Sequence, residues 1–215
     1  MYRTCMLEAS EKIEEKRSVF IGQIKRVYTE DEAKDFIEST RKKHREANHN
    51  CWAFALGEKK FIKRYSDDGE PQGTAGIPIL ECINKKDITF AVIVVTRFFG
   101  GILLGAGGLV RAYIKAASSA IDKSGIIEVV KGSEIDLIIS YDLLRKFQYL
   151  FSENKIYIED IVYTDKVEIK CIIESSNIDF FKRIVRENSY GKFNLNCDKE
   201  REYFKLGNRL FLNLK

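Results

Sequence analysis

The sequence has little of what usually carries metal or redox chemistry: two histidines, one tryptophan and five cysteines in 215 residues. Cys5, Cys51, Cys82, Cys171 and Cys197 are odd in number, widely spaced and free of any Cys-x-x-Cys pair. That argues against a disulfide frame or a zinc knuckle and for reduced thiols in the cytoplasm. No charge dominates, since 36 Lys and Arg face 32 Asp and Glu, a net +4. The excess is +3 up to residue 130 (21 basic, 18 acidic) and +1 beyond it (15 and 14). Such a balance permits a nucleic-acid partner without requiring one.

The opening stretch MYRTCMLEASEKIEEKR lacks the apolar core of a signal peptide. One long apolar run exists, from Ile88 to Val110, with Arg97 as its single charge. An arginine near mid-span costs about 3 kcal/mol or more in a bilayer, and glycines crowd the second half of the run. A buried strand leading into a glycine loop is the better reading, with a cytoplasmic location and no membrane partner. Proline is scarce too. Pro71 and Pro78 are the only two, and both fall between Arg64 and Arg111 with eight of the fourteen glycines. Glycine carries an entropic cost that ordinary packing does not need, so this stretch is the place to look for a site.

Strand character at 17–24 precedes a helix starting near Thr29, where TEDEA supplies a cap and first-turn acids. The helix ends in the basic RKKHR, suited to the negative pole of its dipole. HNCWAFALG and KKFIKRYS read as a hairpin, and 77–83 as a helix opened by Thr74 and Pro78. TFAVIVVT, at 89–96, is apolar at nearly every position, as a strand covered on both faces should be. Leu109 to Ile121 reads as a helix with Arg111 and Lys115 on one face. Character changes near 129–133. After it come strand 135–140, helix 141–154, strands 156–163 and 167–174, helix 178–188 and strand 193–198. This βαββαβ order is that of the ferredoxin-like split unit. The expected fold class is α+β in two domains, 1–130 and 131–215.

Three groups of residues could carry chemistry. His49 and Cys51 share one face of a strand, a spacing open to a thiolate nucleophile or half a metal site. No further Cys or His stands at ligand spacing, which favours a structural thiol and a hydrogen-bonded imidazole, with no metal and no cofactor. Asp67, Asp68 and Glu70 lie in the turn DDGEP and could act as an acid–base pair or hold Mg²⁺. The structural alternative pairs them with Arg64, Arg97 or Arg111. The third group is GGILLGAGGLVRAY. It lacks the GK[ST] of a P-loop, and from Gly105 and Gly107 the third position of GxGxxG is Val110. What is left is a glycine turn at a helix start, able to hold an anion through free N–H groups. The phosphate-binding set is then Arg64, Arg97, Gly100, Gly101, Gly105, Gly107, Gly108, Arg111 and Lys115. Phe98 and Phe99 in the same loop are candidates for base stacking.

The segments HREANHNCWAF, RYSDDGEPQGTAGIPIL and VVTRFFGGILLGAGGLVRAY together resemble the IMPACT/YigZ family. The resemblance implies an N-terminal domain like the second domain of ribosomal small-subunit protein five. It also implies a ferredoxin-like C-terminal domain similar to the last domain of elongation factor G. From such relatives follow an RNA- or ribosome-associated role in translation, a possible protein partner, and no established catalytic activity. An enzyme acting on a small phosphorylated or nucleotide ligand through Asp67, Asp68 or Glu70 is the competing expectation. A protein-interaction module using the C-terminal sheet is another. The chain departs from the family pattern at Leu103, where a basic residue is usual, and at Trp52 and Phe98, where tyrosine is common.

Overall fold

The computed structural model describes residues 1–213. The architecture is mixed α/β and falls into two compact units, Tyr2–Ile127 and a second that begins at Glu128.

The first unit comprises β1 (Tyr2–Cys5), β2 (Ala9–Glu15), β3 (Ser18–Arg26), α1 (Glu30–Lys43), β4 (His49–Leu56), β5 (Ile62–Ser66), α2 (Gly76–Lys85), β6 (Ala91–Phe98) and α3 (Ala106–Ser124). Its five-stranded sheet has the order β2-β3-β6-β4-β5, antiparallel throughout. The apolar run therefore becomes the central strand, and period-2 alternation divides its side chains between two cores. Ala91, Ile93 and Val95 pack with α2 and α3, while Val92 and Val94 pack with α1. The supposed span is thus a strand, a glycine loop and the start of a helix. Among the described residues no helix is long and apolar enough to cross a membrane.

Helix α1 starts where its sequence signals. Thr29 Oγ1 accepts from Glu32 N at 3.1 Å, and Glu32 Oε2 accepts in return from Tyr28 N at 2.7 Å. Helix α2 starts differently from expectation. Thr74 does not cap it, because its hydroxyl donates to Pro71 O, and Ala75 at the cap position has no side-chain oxygen.

The second unit follows from β7 (Ile126–Ile139), inside which the division between units falls. Then come α4 (Tyr141–Glu153), β8 (Ile158–Tyr163), β9 (Val167–Glu174), α5 (Ile178–Asn188), β10 (Asn194–Cys197), β11 (Arg201–Leu206) and β12 (Arg209–Phe211). One edge of β7 pairs with β9, which pairs with β8; the other edge pairs with β10 and then β11. Ile135, Leu137 and Ile139 of β7 join Phe147, Phe151 and Phe181 of the two helices in one core. Strand β7 begins earlier than the expected residue 135, and the hairpin β11–β12, turning at Gly207, extends the sheet beyond the expected last strand.

Candidate functional site

The acidic turn after β5 is fully occupied by the fold. Asp67 accepts from the backbone N–H groups of Gly73, Ala75 and Gly76 at 2.8 to 3.0 Å. Two of them, those of Ala75 and Gly76, are orphan donors at the start of α2, so Asp67 caps that helix from nine residues upstream of Gly76. Asp68 accepts from Asn50 N at 2.6 Å and from Arg41 at 2.8 Å, which fastens the turn to β4 and to the basic end of α1. The structural alternative is therefore the one realised, with one difference in partners: Arg41 takes the place of Arg64 and Arg111.

Glu70 is the buried member. Its Oε1 accepts from Arg97 Nη1 at 2.6 Å and from the Tyr113 hydroxyl at 2.8 Å. Tyr113 also contacts Cys51 Sγ at 3.3 Å, and that thiol donates to Asp67 O. Burial pushes both the Cys51 thiol and the Tyr113 phenol far up, with Tyr113 itself lowering and Glu70 raising the thiol. A thiol held protonated is no nucleophile. His49 Nδ1 is bonded to Asp68 O at 2.8 Å, so that nitrogen donates to a carbonyl. The three carboxylates and His49 thus do not converge on an open cleft, as the enzymatic expectation requires. Among the described residues no cluster of metal-ligating side chains forms.

The nine residues of the expected phosphate set part company. Arg97 lies on the α2–α3 side of β6, buried, paired with Glu70 and set between the Phe20 and Phe99 rings. A direct phosphate contact from it does not follow from this placement. Arg64 pairs across strands with Phe54, whose side chain belongs to the α1 core, so alternation puts Arg64 on the opposite face of the sheet from α3. It lines a cleft there with Trp52, Phe54 and Arg41. Trp52 and Phe54 stack at 5.7 Å between centroids.

The other seven stay together. Gly100 packs so tightly on the β2–β3 turn that an added Cβ would lie 2.0 Å from Arg17 O. Its N–H donates to Ser18 Oγ. Gly101 and Gly105 have φ of +82° and +70°, the region that favours glycine. Gly105 is the N-cap of α3, contributes no side chain, and the first turn contains no acid. Gly107 lies against the Arg111 guanidinium, which folds back over that turn. Two residues that sequence reasoning missed complete the face. Lys16 and Arg17 form the turn between β2 and β3, and Lys16 shares a cleft with Arg111, Lys115, Leu104 and Gly108, and with one carboxylate, Glu15. Both have positive φ, 45° and 63°, a conformation that asks for Asn-Gly in a two-residue hairpin. Lys16, Arg17, Arg111 and Lys115 are all exposed. None of the four forms an ion pair among the described residues.

Two family models match the chain: the Impact N-terminal domain over residues 16–121, and the Domain of unknown function (DUF1949) over 137–192. The IMPACT family member YvyE of Bacillus subtilis is 39% identical over 176 residues, 82% of this chain and 81% of that protein. The chain belongs to the IMPACT family. The family member YigZ of Escherichia coli is 31% identical, covering 84% of this chain and 89% of its own. A crystal structure described as a hypothetical protein aligns with 93% of this chain and 98% of its own, at 29% identity and a TM-score of 0.59.

Within this IMPACT family member, Leu103 is 82% exposed in the glycine loop and takes no part in the core. Phe98 packs edge-on to His44 at 6.1 Å and is not free to stack on a ligand; Phe99 is 44% exposed. No local signal could have found Lys16 and Arg17, because their tie to the loop depends on backbone contact with Gly100, more than eighty residues away.

Proposed function

We propose that this IMPACT family member binds RNA, free or on the ribosome, and acts in translation in the cytoplasm without catalysing a reaction. The observation that carries this reading is a set of four exposed cations without an ion pair among the described residues. Lys16, Arg111 and Lys115 line one cleft along the first turns of α3, with Glu15 as its one carboxylate, and Arg17 adjoins Lys16 in the turn. Unpaired cations cost little to bring to a phosphate, because no internal salt bridge has to break. Backbone N–H groups of the first helical turn add donors that suit a phosphate oxygen. The Lys16–Arg17 turn supports the same reading. Two bulky residues held at positive φ strain the hairpin by about 1 kcal/mol or more each. Asn-Gly would relieve that strain, and it would remove both charges.

The domain comparisons we propose are in keeping with this role. The strand order β10-β7-β9-β8, built by βαββαβ, is that of a ferredoxin-like domain, which we compare with the last domain of elongation factor G. The first unit we compare with the second domain of ribosomal small-subunit protein five. The enzymatic reading finds no support in the site, because Asp67, Asp68 and Glu70 are all engaged internally. The sheet face turned away from α4 and α5 is mixed, carrying Glu134, Asp136, Glu168 and Lys170 together with the partly exposed Ile138, Val162 and Ile172. A protein-interaction role for this sheet is the second reading, and the nuclease arm of the test below separates it from RNA binding.

The test is retention of RNA by tagged protein from a lysate, with and without nuclease. The wild type should hold RNA that nuclease removes, and Arg111→Ala with Lys115→Ala should hold several-fold less. Equal retention by the two proteins overturns the reading.

A further inference from the structure

We infer that Phe99 is a stacking platform for one unpaired base, so that the site takes single-stranded rather than duplex RNA. The inference rests on the phosphate-binding reading above and adds to it what the strand's bases do. Arg97 Cζ lies 5.5 Å from the Phe20 ring centroid and 5.5 Å from that of Phe99, within cation–π reach of both rings. The guanidinium is immobilised by Glu70. Phe99 is held from both sides along the backbone, its own N–H donating to Asn48 Oδ1 at 2.7 Å and the Gly100 N–H to Ser18 Oγ at 3.2 Å.

A loop phenylalanine that stays 44% exposed while so firmly held gains little from burial. With Arg97 over one face, its open surface is available to a second planar group. The ring also lies next to the cations. Phe98 pairs with Val19, which sets Phe99 beside Ser18 and Arg17, next to the turn whose Lys16 lines the cleft. A base on Phe99 would therefore leave its phosphates facing Arg17, Lys16 and Arg111. Bases within a duplex are stacked on one another and cannot offer a face to a protein ring without unstacking. Phenylalanine makes no hydrogen bond to base edges, so the platform tolerates any base.

The test measures binding of the full chain to a fluorescent unstructured 12-nucleotide RNA and to a duplex of the same length. The wild type should prefer the single strand. Phe99→Ala should weaken that binding by about tenfold, Phe99→Tyr should restore it, and neither should move the duplex affinity. Thermal melting confirms that both variants fold. A duplex bound as tightly as the single strand, with a response to Arg111→Ala but none to Phe99→Ala, overturns the stacking and leaves the phosphate site standing. Binding of neither RNA overturns both. A protein partner that survives nuclease and is lost in Phe99→Ala assigns the ring to a protein interface and overturns the stacking.

Discussion

Arg97 and Glu70 form a buried ion pair at 2.6 Å, with side chains only 7% and 3% exposed. It ties the central strand β6 to the acidic turn, and Tyr113 brings α3 into the same network. Removing one partner of such a pair strands a buried charge, at a cost of about 3–5 kcal/mol. Glu70→Ala and Arg97→Ala should each destabilise by that order in urea unfolding. The double replacement Glu70→Leu with Arg97→Met should cost clearly less than the sum of the two single changes. Additive losses would show that the pair is not coupled.

Asp67 serves three backbone donors, two of them at the start of α2. Asp67→Ala should cost about 1–3 kcal/mol, as expected when buried donors lose their acceptor. Asp67→Asn, which keeps one carbonyl oxygen in place, should fall between. The check is the denaturation midpoint at neutral pH. If the carboxylate were catalytic instead, stability would hardly change.

The Lys16–Arg17 turn separates stability from binding. Replacing the pair with Asn-Gly gives the hairpin residues at ease with positive φ. The variant should be more stable by about 1 kcal/mol or more, yet bind RNA more weakly. A variant that gains stability and loses no affinity would remove this turn from the interface.

The buried thiols set an alkaline limit. Burial raises Cys5, Cys82 and Cys51, and pushes Cys171 up to about 12, all from an ordinary 9.0. Above the unfolded thiol pKa the unfolded chain releases protons that the folded chain keeps, so the folded state binds more protons and stability falls as pH rises. Stability should therefore decline from about pH 9 upward, the ordinary thiol range. At pH 8 the exposed Cys197 should react first with a thiol reagent, and the four buried cysteines only on unfolding. Rapid labelling of Cys51 in the folded protein would contradict its placement.

Much of the architecture was legible. The apolar run gave the central strand, and Thr29 gave the start of α1, because both signals are local. Strand β2, ASEKIEE, was not legible because its charges hide an alternation in which only every second residue is partly buried. The fates of the candidate arginines were less legible still. Arg97 and Arg64 could each be a phosphate contact or a partner for the acidic turn, and only the sheet register decides, putting Arg97 beside Glu70 and Arg64 on the opposite face. The structural reading of the acidic turn gave Asp67 an arginine partner, and it is α2 that supplies its partners instead, as free backbone N–H groups. Each of these depends on a partner brought in by the fold, and no spacing in one sequence encodes that.

The central claim is that Lys16, Arg17, Arg111 and Lys115 neutralise RNA phosphates. Its most direct measurement is the slope of log affinity against log salt between 50 and 300 mM, roughly the range over which counterion release is read. Each phosphate contact on a single strand contributes about −0.7 to that slope. Replacing all four cations with alanine should flatten it by about 2–3 units, since each removed contact subtracts just under one. An unchanged slope in a variant that still folds would contradict the account.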